Sequence, residues 1–177
     1  MIFYNVFTDG SYSKDDSNHT HGGIVFGDEN NKVLSRIHVV TSIKDFTSMN
    51  NVGGEILAAW SAILSVVSSV KQANEEKGLE QYQLTLVYDY EGVGKWITGE
   101  WRAKKKATQW YRESVKKLVS SVPNLKVRFI WVKGHEDTYL NHAADYTAAY
   151  NLNCEAEDIP KCDLDDILTE DYGFRLE

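Results

Sequence analysis

Residues 1–11 read MIFYNVFTDGS: a run rich in aromatic and β-branched side chains, closed by Asp9-Gly10-Ser11, residue types that favour a turn. This predicts a strand over residues 1–8 that stops at an acid. Working outward, residues 22–26 (GGIVF) and 32–41 are two further strands around the turn Asp28-Glu29-Asn30-Asn31, an antiparallel meander with the first. From Glu55 the apolar residues Ile56, Ala59, Trp60, Ile63, Val67 and Val70 recur at helical spacing, and the helix runs to about Asn74 before Gly78 breaks it. Residues 83–88 (QLTLVY) form a strand ending at Asp89, residues 92–98 and 107–120 are helical, 126–132 is a strand and 140–150 an alanine-rich helix. Trp60 and Trp131 are assigned to the core. Strands separated by helices must pair in parallel, so the order predicts an α/β fold: a five-stranded mixed sheet, three strands antiparallel and the rest parallel, flanked by helices.

A chain of 177 residues predicts one principal domain, and 42% apolar with 25% charged residues excludes a disordered or fibrous chain. The most apolar stretch, residues 56–70, is broken by Ser61, Ser65, Ser68 and Ser69 and falls short of the roughly 18–20 residues of a membrane span, so no membrane association is expected. No basic residue precedes the apolar residues at the N-terminus, and Asp9 interrupts them before a signal core could form; a cytoplasmic location is expected. Cys154 and Cys162 both lie late in the chain, with no disulfide framework and no partners for a zinc site.

The net charge of −7 divides unevenly. Residues 151–177 hold nine acidic and two basic side chains, whereas residues 1–150 are neutral, and within them residues 95–133 carry eleven Lys or Arg against Glu100 and Glu113. That stretch could face a polyanion. We therefore read residues 1–150 as the functional domain and 151–177 as an acidic tail. Either Leu164, Ile167, Leu168, Tyr172 and Phe174 pack the tail onto the body, or its charge competes for the basic region.

Four acids fall at informative places: Asp9 and Asp89 at strand ends, Glu55 at the start of the long helix, Asp145 on the last helix. Each alone is ordinary for its position. In open α/β sheets, however, ligands bind at the carboxyl ends of parallel strands, which would bring Asp9 and Asp89 together if their strands are neighbours. Clustered carboxylates without basic partners repel, and a divalent cation relieves the repulsion. A set of hard oxygen ligands favours Mg²⁺ or Mn²⁺ over zinc.

Five motifs in order then carry a resemblance: Asp9-Gly-Ser, Asn51-Val-Gly-Gly-Glu55, Tyr88-Asp89, Trp131-Val-Lys-Gly-His135 and Asn141-x-x-x-Asp145. The chain resembles a type 1 ribonuclease H in its single-domain, bacterial or phage-like form. The resemblance covers residues 1–150 and implies an RNase H-like fold that cuts the RNA strand of RNA-DNA hybrids endonucleolytically, leaving 5′-phosphate and 3′-hydroxyl ends. It implies Asp9, Glu55, Asp89 and Asp145 as catalytic ligands for two Mg²⁺ ions, with Mn²⁺ as a substitute. His135 would assist proton transfer or product release, and Asn141 would orient the last helix or the metal site. Asn18 and Asn51 are candidates for substrate contacts. Trp96, Trp101, Arg102, Lys104, Lys105 and Lys106 resemble a reduced form of the basic protrusion that grips the DNA strand in some members.

One departure stands out: Tyr90-Glu91 follows Asp89 where many relatives have a small polar pair, which alters a sugar contact. The expected partner is an RNA-DNA hybrid, with no obligatory protein partner and a monomeric state. Two rival classes share the architecture. A 3′–5′ exonuclease would carry Asp-x-Glu on its first strand, where position 11 is Ser11, and an integrase or transposase would use a catalytic glutamate on the late helix, where this chain has Asp145; a resolvase-like nuclease is the remaining alternative of this fold. A non-catalytic hybrid-binding module is opposed by the full set of acids.

Overall fold

The computed structural model describes residues 1–30, 32–133, 144, 147, 148 and 159–176. Its sheet is built from β1 (Ile2–Ser11), β2 (Thr20–Gly27), β3 (Val33–Thr41), β4 (Tyr82–Tyr88), β5 (Leu125–Trp131) and a short β6 (Lys161–Asp163), in the order β5-β4-β1-β2-β3-β6. The meander β1–β2–β3 is antiparallel, and β4 and β5 add in parallel to β1, as the strand–helix alternation requires. The sixth strand is the difference from the sequence reading. It pairs in parallel with β3 through His38↔Lys161, Val39↔Cys162 and Val40↔Asp163 and covers what would be an exposed edge. Cys162 is a free, exposed thiol.

Around the sheet, α1 (Lys44–Thr47), α2 (Asn51–Lys77), α3 (Gly92–Thr98) and α4 (Lys106–Ser120) precede β5, and α5 (Asp165–Glu170) follows β6. The helix α2 begins at Asn51, four residues before Glu55, and runs to Lys77. Gly53 and Gly54 disguise that start, because glycine disfavours a helix interior. Here they are needed: a Cβ on Gly54 would overlap the His21 carbonyl, so its absence lets α2 lie directly on β2. At 27 residues α2 is long and apolar enough to cross a membrane by length and composition, unlike the shorter stretch read from sequence. Its apolar faces are instead used within the fold, where 72% of the most apolar window is buried. Ile56, Trp60, Ile63, Val67 and Val70 all lie in the core it forms with the sheet and α4.

Between α2 and α4 the indole of Trp60 donates to Ser114 Oγ at 2.8 Å, and the Tyr111 hydroxyl donates to the Val93 carbonyl at 2.7 Å, tying α4 to α3. Each of these buried polar groups thereby keeps a partner. The opposite sheet face holds a smaller cluster of Phe7, Val25, Val87 and Ala144. A buried polar relay also joins β2 to β3. His21 Nδ1 lies 2.9 Å from His38 Nε2, and His21 Nε2 lies 3.0 Å from Asp16. Burial foremost, then the nearby His21 and Lys161, push His38 down to about 4.

Residues 161–174 belong to the same core. Leu164, Leu168 and Phe174 are buried, and Tyr172 and Phe174 pack with Trp110 at ring-centroid distances of 5.3 and 5.7 Å. The Asp165 carboxylate accepts from Thr41 Oγ1, from the Ser42 amide and from Ser42 Oγ, which caps the end of β3. Burial pushes Asp165 up, but these hydrogen bonds more than offset it and its acidity rises.

Candidate active site

Register positions the first two acids. The parallel ladder pairs Val6 with Leu86 and Phe7 with Val87, so Asp9 and Asp89 emerge side by side two residues further on. The third acid comes from α2. Gly10 is the residue that admits it: a Cβ there would overlap the Asn51 carbonyl and stand 2.5 Å from the Glu55 amide, so only glycine lets β1 approach the first turns of α2 this closely. Asp9, Glu55 and Asp89 consequently bring carboxylate oxygens within 4.8 Å of one another, Glu55 buried and the other two partly exposed.

The electrostatics of this cluster are unfavourable as it stands. Glu55 is 2% exposed, and burial, followed by the charge and hydrogen bonding of Asp9 and the charge of Asp89, pushes its carboxyl well above the usual range. One hydrogen bond from the Gly10 backbone acts the other way and is too weak to reverse the shift. Glu55 Oε2 is buried without a hydrogen-bond partner among the described residues. A buried carboxylate oxygen with no donor costs desolvation that a hydrogen bond normally returns. A hard divalent cation bound by Asp9, Glu55 and Asp89 would satisfy that oxygen and remove the mutual repulsion, so the residues present fit a metal.

Asp89 is held from its other side. The Trp131 indole donates to the Asp89 carbonyl at 2.8 Å, and the Val132 amide donates to the Tyr88 carbonyl at 2.8 Å. Trp131 is therefore not the core residue expected from the sequence. It is 47% exposed, standing at the last paired position of β5 where the sheet gives way to open surface. Nothing in strand alternation distinguishes that end position from the interior ones.

Beside the acids, Tyr90, Trp96 and Trp101 form an aromatic cluster with centroid separations of 5.7–6.0 Å. Lys95 lies 5.5 Å from the Trp101 ring centroid. Trp96 is buried to 8% exposure and Trp101 is partly buried, so Trp96 shapes the groove mainly from beneath. A cavity of about 300 Å³ brings Trp96, Tyr90, Lys104 and Lys105 together with Arg102, Met49 and Val52. Tyr90 lines this groove and follows Asp89 in the chain, and burial, then the Glu55 charge, push its hydroxyl up. The sequence reading treats Tyr90 only as a departure from the family pattern, and Met49 and Val52 carry no signal of a groove; their position next to Asp89 and Glu55 in the chain is the one clue to it.

The remaining candidates divide. Asn51 is the exposed first residue of α2, next to Asn50, whose backbone has φ of 55° and whose carbonyl accepts from Thr20 Oγ1 at 2.7 Å. Asn18 is exposed in the turn before β2 and does not line the groove. Lys106 is engaged differently from Lys104 and Lys105: its ammonium donates to the Gly173 carbonyl at 3.4 Å and lies 4.7 Å from the Phe174 ring centroid. His135, Asn141 and Asp145 lie outside the described residues, as does Cys154.

No curated protein matches the sequence. Among solved structures the chain is similar to RNase H1 from the halophilic archaeon Halobacterium salinarum, with 16% identity, 86% of this chain and 98% of that one covered, and a TM-score of 0.58. The N-terminal RNase H domain of a Mycobacterium tuberculosis protein is similar at 14% identity, covering 88% and 100%, with a TM-score of 0.58. So is a compost-derived RNase H1 solved in complex with RNA/DNA hybrid, at 17% identity, covering 80% and 96%, with a TM-score of 0.51. At these identities the likeness is one of fold. The sequence itself carries the assignment further, because the family model described as RNase H matches residues 3–152 and so spans β1 through β5 with all three acids. The chain belongs to the RNase H family and is a ribonuclease H.

Proposed function

We propose that this ribonuclease H cleaves the RNA strand of RNA-DNA hybrids endonucleolytically with two Mg²⁺ ions, leaving 5′-phosphate and 3′-hydroxyl ends. The observation that carries the reading is the trio Asp9, Glu55 and Asp89, with a buried oxygen on Glu55 that has no hydrogen-bond partner among the described residues, opening beside a basic and aromatic groove. Asp145 is proposed as the fourth ligand and His135 as the group that helps move the proton or release product. Bound there, the metal would supply Lewis acidity that favours ionisation of an attacking water and stabilises charge on the departing oxygen.

The protein's own residues supply position. Gly10 and the β1–β4 register hold the three acids at one point, and the Trp131 indole fixes the Asp89 main chain. Lys104, Lys105 and Arg102 neutralise backbone phosphates, while Tyr90 and the rim of Trp101 offer flat surfaces for sugars. Discrimination then rests on duplex shape and on 2′-hydroxyls instead of base edges. A cytoplasmic, monomeric enzyme is part of the same proposal.

The test is a panel of labelled RNA-DNA hybrid, duplex DNA, duplex RNA and single strands, incubated with Mg²⁺ or with a chelator. Internal cuts confined to the hybrid's RNA, lost on chelation, are expected. Cutting of duplex DNA, or removal of nucleotides only from 3′ ends, would favour a different nuclease activity.

A further inference from the structure

A carboxylate on the turn after the first strand is tied into the buried sheet by two imidazoles. The β1–β2 hairpin pairs Asp9 with Gly23 and Ser11 with His21, so its connection, residues 12–19, begins just past Asp9. Within it the short 3₁₀ turn Lys14–Asp16 is capped by Ser13, whose hydroxyl accepts from the Asp15 amide at 3.2 Å. Asp16 meets two rings: one oxygen lies 2.8 Å from Nδ1 of the partly exposed His19, the other 3.0 Å from Nε2 of His21. His21 and His38 are fully buried on β2 and β3, with their facing nitrogens 2.9 Å apart. Thr20, between the turn and His21, donates to the Asn50 carbonyl and so joins this end of the hairpin to the residue before α2.

One charge fixes the protons along these groups. Burial pushes Asp16 up, but the hydrogen bonds from His19 and His21 more than offset it, so its carboxyl is ionised. An ionised carboxylate only accepts, so His21 Nε2 donates to it. Burial foremost, opposed by Asp16, pushes His21 down, and burial takes His38 to about 4, so both rings are neutral near pH 7. A neutral imidazole carries one N–H; His21 Nδ1 therefore accepts, and His38 Nε2 donates to it. Among the described residues the charged groups facing the pair are Asp16 and His19 on the turn and Lys161 on β6, with Asp165 of α5 within reach of the His19 charge. The His38 amide in turn donates to the Pro160 carbonyl at 2.9 Å, and His38 pairs with Lys161. The turn is thus braced, through Asp16, His21 and His38, by a strand that lies beyond the family match at residue 152.

We propose that Asp16 is a positioning residue for substrate binding: anchored by His21 and His38, it holds the turn 12–19, and with it Asn18, in the conformation that receives the hybrid. This rests on the hybrid-cleaving reading. The sign of the effect separates it from simple electrostatics. Removing an acid near a polyanion tightens binding, whereas removing the anchor of a turn lowers the fraction of molecules ready to bind and raises KM by the inverse of that fraction.

The experiment measures kcat and KM for RNA-strand cleavage in a labelled hybrid with Mg²⁺ near neutral pH, alongside long-range ¹H–¹⁵N spectra that report which imidazole nitrogens carry protons. Asp16→Ala should raise KM about tenfold, the worth of one hydrogen bond to a charged group, with kcat unchanged, and should release His21 and His38 into mixed tautomers. Asp16→Asn keeps an oxygen that accepts from His21 and an amide that donates to His19, so it should hold the parent KM and the parent tautomers. Asp15→Ala, which removes an exposed acid one residue away, should leave KM unchanged or lower it. An Asp16→Ala KM at or below the parent's overturns the proposal, as does an Asp16→Asn variant as impaired as the alanine one. Parent tautomers retained in Asp16→Ala, or a kcat that falls as far as KM rises, overturn it too, because Asp16 would then not hold the turn through the imidazoles or would act on the fold at large. If the parent itself fails to cut hybrid, the functional reading falls, and this proposal with it.

Discussion

Substituting Leu168 by alanine tests whether residues 161–174 are part of the folded core. Leu168 is fully buried on α5, its amide donates to the Leu164 carbonyl at 3.0 Å, and its own carbonyl accepts from the Phe174 amide at 3.1 Å. Its side chain belongs to the same cluster as Trp60 and Phe46 on the body. Truncating a buried leucine costs about 2–5 kcal/mol, depending on how far the site collapses. For a domain of this size each kcal/mol moves the melting temperature by about 2–4 °C, so Leu168→Ala should lower it by about 4–20 °C. Asp166→Asn, an exposed change on the same helix, should stay within about 0.5 kcal/mol of the parent. The assay is thermal melting followed by circular dichroism, with the Michaelis constant for hybrid at two ionic strengths. A drop under about 2 °C, or one matched by Asp166→Asn, would refute the packing argument. A Michaelis constant that falls at low salt once residues 161–177 are removed would show the segment acting as an electrostatic competitor.

Three further outcomes are expected. Because His38 is held near 4 in the fold and titrates near 6.5 when unfolded, the unfolded chain binds the extra proton between those values; stability should decline as pH falls from about 6.5 towards 4, and His38→Gln should flatten that dependence in pH-resolved melts. Gly10→Ala forces β1 away from α2 where Asp9 meets Glu55, so a loss of about 1–3 kcal/mol in denaturant titration should accompany a disproportionate loss of cleavage rate. Mg²⁺ should raise the melting temperature at pH 8 and do so much less at pH 5, because the raised Glu55 carboxyl must lose its proton to bind metal; equal gains at both pH values would contradict the cluster's electrostatics.

Much of this arrangement was legible from residue patterns, for identifiable reasons. β1, β4 and β5 are long, apolar and bounded by turns or acids, so local pattern and tertiary burial agree. Asp9 and Asp89 could be paired because parallel neighbours carry their ends to the same side of the sheet. What escaped was set by long-range contact. β6 is three residues, Lys-Cys-Asp, with no alternation to read, and exists because β3 offers an unpaired edge. The first turn of α2 carries no apolar periodicity, because Gly53 and Gly54 are there for what they let approach, and only the Asn51-x-x-x-Glu55 motif marks it. Trp131 has the composition of a core residue and the position of a surface one, and only the geometry of the β5 end separates the two.

The most direct measurement of the central claim is the single-turnover rate of RNA-strand cleavage in a hybrid, with Mg²⁺, for the unaltered chain and for Asp89→Asn at matched folding. Asp89→Asn removes one charge from a partly exposed acid and no core packing, so the melting temperature in the absence of metal should hold or rise as repulsion on Glu55 is relieved. Cleavage should fall by about a hundredfold or more, since the substituted group is a proposed metal ligand and such ligands act on the transition state. A folded Asp89→Asn chain that retains more than a few per cent of the parent rate would contradict the account.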